Sequence, residues 1–553
     1  MDSSTNSSHY DVVIIGAGFS GLYMLHRLRS AGFKTRVFEQ ASGVGGTWYW
    51  NRYPGARCDV ESMQYAYSFS SELEQEWEWT ERYATQPEIL RYVDHVADRF
   101  DLRRDIQFNT RVAAAIFNET GSLWMIEIDN EERISATYCV MATGCLSSTN
   151  TPNFEGVESF SGSLYHTGEW PHHEIDFSGQ RVGIIGTGSS AIQSIPLIAE
   201  QAKHLYVFQR TPHYTVPARN QLLQSDPKTQ HSGRKAYGYD EDLTVEEIKA
   251  DYRGLRQRAL KSFAALAFTP NRQSALEMTE IERQREFEKR WKQGGLTFQG
   301  VFSDFAISRE ANEFAAEFVR QKIQQTVKDS VVAKALVPTY TIGCKRLAVD
   351  TDYYKTYNRP NVTLVDVSKS PIERITSAGV HALGREYPLN SLIMATGFDA
   401  MTGTLLKIDI QGRGGLRLRE KWVEGPKSYL GLCLAGFPNL FTITGPGSPS
   451  VLTNMLLSIE QHVDWIFDCM EYLRDRNIAE IEPTLEAENE WVTHNSEVAS
   501  DHIRNSCSSW YVGGNIEGKP RVFMPYVGGF PNYVEKCRNI AAKGYEGFVL
   551  GRG

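Results

Sequence analysis

Two glycine-rich turns carry the first chemistry legible in this chain: Gly16-Ala-Gly18-Phe-Ser-Gly21 and Gly186-Thr-Gly188-Ser189-Ser190-Ala191. In such a turn the first glycine makes the tight bend, the second lets backbone approach a pyrophosphate, and the third position packs helix on strand. The helix that opens there offers unpaired N–H groups and a partial positive charge to the phosphates. The residue closing the next strand tells the two sites apart. Glu39 can accept hydrogen bonds from ribose hydroxyls, which suits the adenosine half of FAD, whereas Arg210 places a cation where NADP carries its 2′-phosphate. The expected order is FAD first and NADP(H) second. Gly16, Gly18, Gly21 and Glu39 serve the first, and Gly186, Gly188, Ser189, Ser190, Arg210 and Thr211 the second.

The elements that must position these turns are visible around them. Tyr10–Ile15 and Arg181–Ile185 are short apolar runs of the buried parallel kind, each entering a glycine turn and an amphipathic helix, then a second strand. Two such units imply an α/β protein with two Rossmann-like dinucleotide-binding domains. Two runs ending in Ala142-Thr-Gly144 and Ala395-Thr-Gly397 match one another and suit backbone passing near a cofactor or crossing between domains. Between about 222 and 336 charge is dense and glycine sparse, and Val245–Phe263 and Glu310–Lys328 have helical periodicity. This is expected to be a helical insertion in the NADP domain. The expected division is 1–150 with 388–553 for FAD, 151–222 with 337–387 for NADP, and 223–336 for the insertion.

Composition narrows the function. The net charge of −9 argues against a nucleic-acid partner, which would need a basic surface. No apolar run approaches the roughly 20 residues of a membrane helix, and the polar first ten residues read as a frayed tail and not a signal peptide. The eight cysteines are scattered without C-x-x-C spacing, so they are expected to be reduced thiols of a cytoplasmic protein, with no metal site. That spacing also speaks against a dithiol reductase, which needs a paired redox disulfide near its flavin.

Between the two glycine turns lies Phe160-Ser-Gly162-Ser-Leu-Tyr-His166-Thr-Gly-Glu-Trp170-Pro171. This F-x-G-x-x-x-H-x-x-x-W-P pattern resembles the fingerprint of the type I Baeyer–Villiger monooxygenases. Gly45-Gly46-Thr47-Trp48, leading through Tyr53-Pro54-Gly55 to Asp59, is similar to a second signature of that family, and the likeness runs from Asp11 to Leu550. The nearest branch in resemblance is that of phenylacetone and steroid monooxygenases.

The resemblance implies an NADPH-dependent flavoenzyme that inserts one atom of dioxygen beside a ketone carbonyl to give an ester or lactone. It implies a C4a-peroxyflavin anion, a tetrahedral adduct and a side activity on sulfides. Arg346 and Asp59 are its implied catalytic pair: an arginine cannot titrate, so it favours an anionic oxidant and stabilises charge on the carbonyl oxygen. Gly46, Thr47, Trp48 and Tyr65 are implied at the flavin, Lys345 beside the 2′-phosphate, and Trp510 in a loop, Ser508–Gly514, folding over NADP. Val60, Cys145, Leu146, Ser450, Val451, Leu452 and Met455 are implied to line the ketone pocket. His166 is expected to organise interdomain geometry from a linker, stiffened by Trp170 and Pro171, with direct acid–base work the alternative. The resemblance leans toward a monomer or weak dimer. Two rivals remain: a flavin monooxygenase oxidising nitrogen or sulfur, and a cofactor-loaded binding protein without turnover on ketones.

Overall fold

The computed structural model describes residues 9–129, 132–223 and 245–552. The polar tail at 1–8 and the first part of the insertion, 224–244, lie outside them. The run Val12–Ile15 is almost fully buried, as a strand covered on both faces requires. It lies in strand His9–Ile15, flanked in parallel by Thr35–Phe38 and Arg133–Met141. Val112–Asn118 and Leu123–Ile128 extend the same sheet as an antiparallel meander. Asp409–Gln411 and Leu440–Thr442 return to it from the C-terminal part of the chain. Helix Phe19–Ser30 packs on one face against the long helix Met455–Asp475.

The second sheet is parallel throughout, in the order Val362–Asp366, His204–Gln209, Arg181–Ile185, Ser391–Met394, Ser163–His166. Two expectations change here. Ser391–Met394 is a central strand of this sheet, paired on both sides, so the chain leaves the second unit after 394 and not at 388. The fingerprint segment is likewise no free linker, because Ser163–His166 is the sheet's edge strand. Gly162 sits where the chain turns onto that edge: a β-carbon there would lie 2.3 Å from the Asn390 carbonyl oxygen and 2.6 Å from the Phe160 ring.

The two units are joined by crossing segments that run side by side. Asn150 N–H donates to Gly397 O at 2.9 Å, Asp399 N–H to Ser148 O at 2.8 Å, and Met401 N–H to Cys145 O at 2.8 Å. The helical insertion also reaches both cores. Helices Glu280–Gln293 and Arg309–Thr326 pack with the second sheet, while Val245–Ala250 and Tyr252–Leu260 pack against the first. Arg256 fixes that contact, donating to Gln64 O at 2.9 Å and Ala66 O at 2.7 Å. An insertion expected in one domain thus clamps two.

One cysteine expectation fails. Cys344 and Cys507, 163 residues apart, form a disulfide with Cα atoms 6.0 Å apart, while the other six cysteines are buried and free. The separation hides the pair from any spacing motif. No helix among the described residues is long and apolar enough to cross a membrane, and among them no cluster of three or more His, Cys, Asp or Glu could hold a metal.

Candidate active site

Both glycine turns open the same way, against the matching Ala-Thr-Gly run of their own sheet. Gly16 has φ +107°, and a β-carbon on it would fall 2.6 Å from Ala142 O; Gly186 has φ +116°, with Ala395 O at 2.4 Å. Only glycine fits either position. Helices Phe19–Ser30 and Ser189–Gln201 then begin at Gly18 and Gly188 with no side-chain cap and no acidic residue in the first turn. Their first N–H groups are left for a ligand, and both ends border one cleft of about 1780 Å³. That exceeds the roughly 300–1,000 Å³ of a site for one drug-sized ligand, as a cleft for two dinucleotides should.

The ends of the second strands differ as their residue types require. Glu39 is buried and accepts from Ala17 N–H at 2.7 Å and Ala41 N–H at 2.8 Å, which fixes its carboxylate at the cleft wall. Burial pushes its pKa up against those bonds. Arg210, just past the end of strand His204–Gln209 of the second sheet, and Lys345 line the same cleft, and neither makes an ion pair with a carboxylate among the described residues. Burial, then the neighbouring Arg210, pushes the Lys345 ammonium down. Two adjacent cations without an anion form a receptor for a phosphate. The donor sets therefore fit FAD on the Glu39 side and NADP on the Arg210 side.

Arg346 stands between them. Its Nε donates to Asp59 Oδ2 at 2.9 Å, its Nη2 to Asp59 Oδ1 at 2.8 Å, and its Nη1 to Val451 O at 3.0 Å. A guanidinium has five N–H donors, so two remain free of these bonds. The Arg346 side chain keeps 31% of its surface exposed and Asp59 17%, leaving an open face on the cleft. Burial opposes the charge, but Asp59, with Tyr511 adding to it, holds the arginine above its ordinary pKa.

His166 ends the edge strand as a structural hub. Its Nδ1 accepts the Gly168 N–H at 3.0 Å, so the proton sits on Nε2, which faces Thr396 Oγ1 at 3.2 Å and Asn150 O at 3.3 Å. These partners lie on the two crossing segments. Burial lowers its pKa, favouring this neutral form. Trp170 is buried against Tyr165 and Phe177.

Most expected site residues line the cleft: Gly46, Thr47, Trp48, Asp59, Tyr65, Thr211 and Trp510, with Val60, Cys145, Leu146, Val451 and Met455. Trp48 Nε1–H donates to the Tyr65 hydroxyl at 3.1 Å, pairing them as one wall. Three residues do not line it. Gly21 lies behind its turn, where a β-carbon would meet Gly16 O at 1.9 Å. Ser450, Val451 and Leu452 form a short turn of 3-10 helix and all three are buried, but of them only Val451 borders the cleft.

Two contributors were not evident from sequence. Gln193 bridges the units, accepting from the Tyr53 hydroxyl at 2.8 Å and donating to Arg57 O at 3.1 Å. His213 holds the backbone of the arginine itself, with Nε2 2.7 Å from Arg346 O and Nδ1 3.1 Å from the Tyr340 hydroxyl. Its position three residues after Arg210 was the available signal. Burial pushes it down to about 4.

A family model described as pyridine nucleotide-disulphide oxidoreductase matches residues 13–250. The three cysteines in that span, Cys58, Cys139 and Cys145, are all free. The chain is 42% identical over 555 residues to a Baeyer–Villiger monooxygenase of Pseudooceanicola batsensis, covering 100% of this chain and 98% of the relative. It is 40% identical over 549 residues to phenazine N-monooxygenase PhzNO1 of Lysobacter antibioticus, covering 99% and 98%. Among solved structures it is similar to an oxidised steroid monooxygenase bound to NADP, at TM-score 0.92 and 50% identity over 99% of this chain and 100% of the other.

Two outcomes follow from the cations and the buried imidazole. Arg210→Ala with Lys345→Ala should raise KM for NADPH by about 10- to 100-fold, the worth of a charged hydrogen bond, while KM for NADH stays within about twofold. Equal losses for both coenzymes would contradict the assignment. His213 titrates near 6.5 when unfolded and lower when folded, so its stabilising contribution is present above pH ~6.5 and is lost as pH falls through about 4. Urea midpoints should therefore fall more steeply across that window for wild type than for His213→Gln, and parallel curves would contradict this.

Proposed function

The chain belongs to the Baeyer–Villiger monooxygenase family, and from that premise we propose that Arg346, oriented by Asp59, is the residue on which its oxygen insertion turns. The enzyme is a flavoprotein that uses NADPH and dioxygen to insert one oxygen atom beside a ketone carbonyl, giving an ester or lactone. When bound, FAD reduced by NADPH supplies the activated oxygen.

The protein's own residues do the rest. The attack on a ketone requires an anionic oxygen nucleophile and builds negative charge on the carbonyl oxygen. A permanent cation with two uncommitted N–H groups favours both. Asp59 holds the guanidinium by paired hydrogen bonds and Val451 O takes a third donor, so the group is fixed in place with two N–H groups left uncommitted. This threefold anchoring is the observation that carries the reading. Val60, Cys145, Leu146, Val451 and Met455 give the ketone a largely apolar surround, which also excludes water from the charge being formed. Glu39 orients the adenosine ribose of FAD, and Trp48 with Tyr65 walls the flavin. Arg210 and Lys345 hold the 2′-phosphate of NADP, and the segment carrying Trp510 covers it. His166 sets the angle between the two nucleotide units.

In this reading the FAD domain comprises the chain to about 150 and from about 395 onward, with the NADP domain between them around the insertion. Its small-molecule partners are a ketone and dioxygen, and it works as a monomer or weak dimer in the cytoplasm. A second reading, oxidation of nitrogen or sulfur, is favoured by the likeness to phenazine N-monooxygenase PhzNO1. It enters here as a side activity on sulfides, because electrophilic oxygen transfer to sulfur does not call on a cation at a carbonyl.

The two chemistries separate in one variant. Arg346→Ala should keep NADPH-driven flavin reduction and sulfoxidation of an aryl methyl sulfide, and lose ester formation by about 10²–10³-fold, the usual worth of a donor to a developing oxyanion. Arg346→Lys should rescue little, since a lysine cannot make the paired bonds to Asp59. Ester yield from Arg346→Ala near the wild-type level would refute the role.

A further inference from the structure

The disulfide lies at the junction of two functional segments. Cys344 directly precedes Lys345 and Arg346, and Cys507 directly precedes Ser508, Ser509 and Trp510, all five of which line the cleft. Downstream, the covering segment is fastened only by non-covalent bonds. Asn515 Nδ2 donates to Phe398 O at 2.7 Å, and Lys519 Nζ reaches Asp399 Oδ1 at 2.5 Å and Ala400 O at 2.7 Å. Its upstream end holds by the S–S bond and by Ile503, whose N–H donates to Ala306 O at 3.1 Å.

The charges at that upstream end oppose one another. Arg504 is three residues before Cys507, bonds through Nη2 to Gln299 Oε1 at 3.0 Å, and makes no ion pair with a carboxylate among the described residues. Arg346 is close enough to depress its protonation, after burial itself. Tyr511 is buried in the same segment, its ring centroid 4.2 Å from that of Trp510. A segment bearing a cation is therefore held beside the cation of the reaction, with one carboxylate, Asp59, already committed to Arg346.

We propose that the Cys344–Cys507 disulfide is a redox-sensitive positioning bond that keeps the covering segment 508–517 and the Lys345–Arg346 turn in register at the NADP side of the cleft. The inference rests on the roles given above to Arg346 and to that segment. Under reducing conditions disulfides are usually transient and sensing, which suits this use. Reduction breaks the S–S bond and leaves two thiols. The two electrons and two protons come from an external dithiol, which becomes a disulfide. A peroxide restores the bond, taking the two electrons and two thiol protons and leaving as water. With the bond open, like charge favours separation of the Arg504 segment from Arg346.

The test uses the FAD-loaded full-length enzyme, oxidised, dithiol-reduced, and as Cys507→Ser. Alkylation of unfolded protein followed by mass analysis should leave Cys344 and Cys507 unlabelled before reduction and labelled after it. Reduction should raise KM for NADPH about tenfold, within the range usual for coupled sites. It should also divert consumed NADPH from ester to hydrogen peroxide and speed proteolytic cleavage within 508–517 of the NADP-loaded protein. Cys507→Ser should behave as the reduced enzyme, and peroxide treatment should rescue the wild type alone. If the bond has only a structural role, reduction lowers the melting temperature and leaves KM and the ester fraction unchanged well below it, which overturns the proposal. Labelling of both cysteines before reduction overturns it as well. Should Arg346→Ala retain full ester yield, the arginine's role falls separately, while KM and cleavage still read the latch.

Discussion

The fixed direction of one guanidinium depends on nearly everything else in this fold. Arg346 and Asp59 are 287 residues apart, and their paired hydrogen bonds close only if the first nucleotide unit, the second, and the turn around Val451 all meet at one point. A half-buried ion pair of this kind contributes little stability by itself, since the cost of removing charge from water offsets most of its attraction. What the geometry secures is orientation. Three donors are tied and two are left, on a side chain that lines the cleft.

The remaining architecture serves that meeting point. Each nucleotide unit repeats one local solution: a buried parallel strand, a glycine turn pressed on an Ala-Thr-Gly carbonyl, and a helix whose uncapped start faces the cleft. The crossing segments run hydrogen-bonded to one another, so the two units cannot swing independently of both connections. His166 ties that pair of segments to the edge strand, and Gln193 ties the second helix to the Tyr53–Arg57 turn of the first unit. Arg256 adds a third tie through the insertion. Reaction geometry is thus set by many neutral or buried hydrogen bonds distant from the reacting atoms.

What could be read from sequence was what depends on local chemistry. Glycine spacing, buried strand runs and the charge at the end of each second strand are determined within about thirty residues, so the two Rossmann-like units and the two cofactors, FAD and NADP, were legible. The proposed catalytic pair came from family resemblance, because no local pattern links Asp59 to Arg346. Long-range matters were hidden for the same reason. The Cys344–Cys507 bond has no motif spacing. Ser391–Met394 looked like the start of the returning domain because strand pairing, not strand composition, decides its sheet. Ser450 and Leu452 were expected in the pocket with Val451, but a tight turn presents only one of three neighbouring side chains to a cavity. His213 acts through a backbone carbonyl, which leaves no trace in residue type.

Following one oxygen atom tests the insertion most directly. Purified enzyme, NADPH and a ketone under ¹⁸O₂ should yield an ester or lactone carrying one ¹⁸O at the inserted position, with one product formed per NADPH consumed. Hydrogen peroxide as the sole oxygen product across linear, cyclic and aryl ketones, or an ester whose inserted oxygen comes from water, would contradict it.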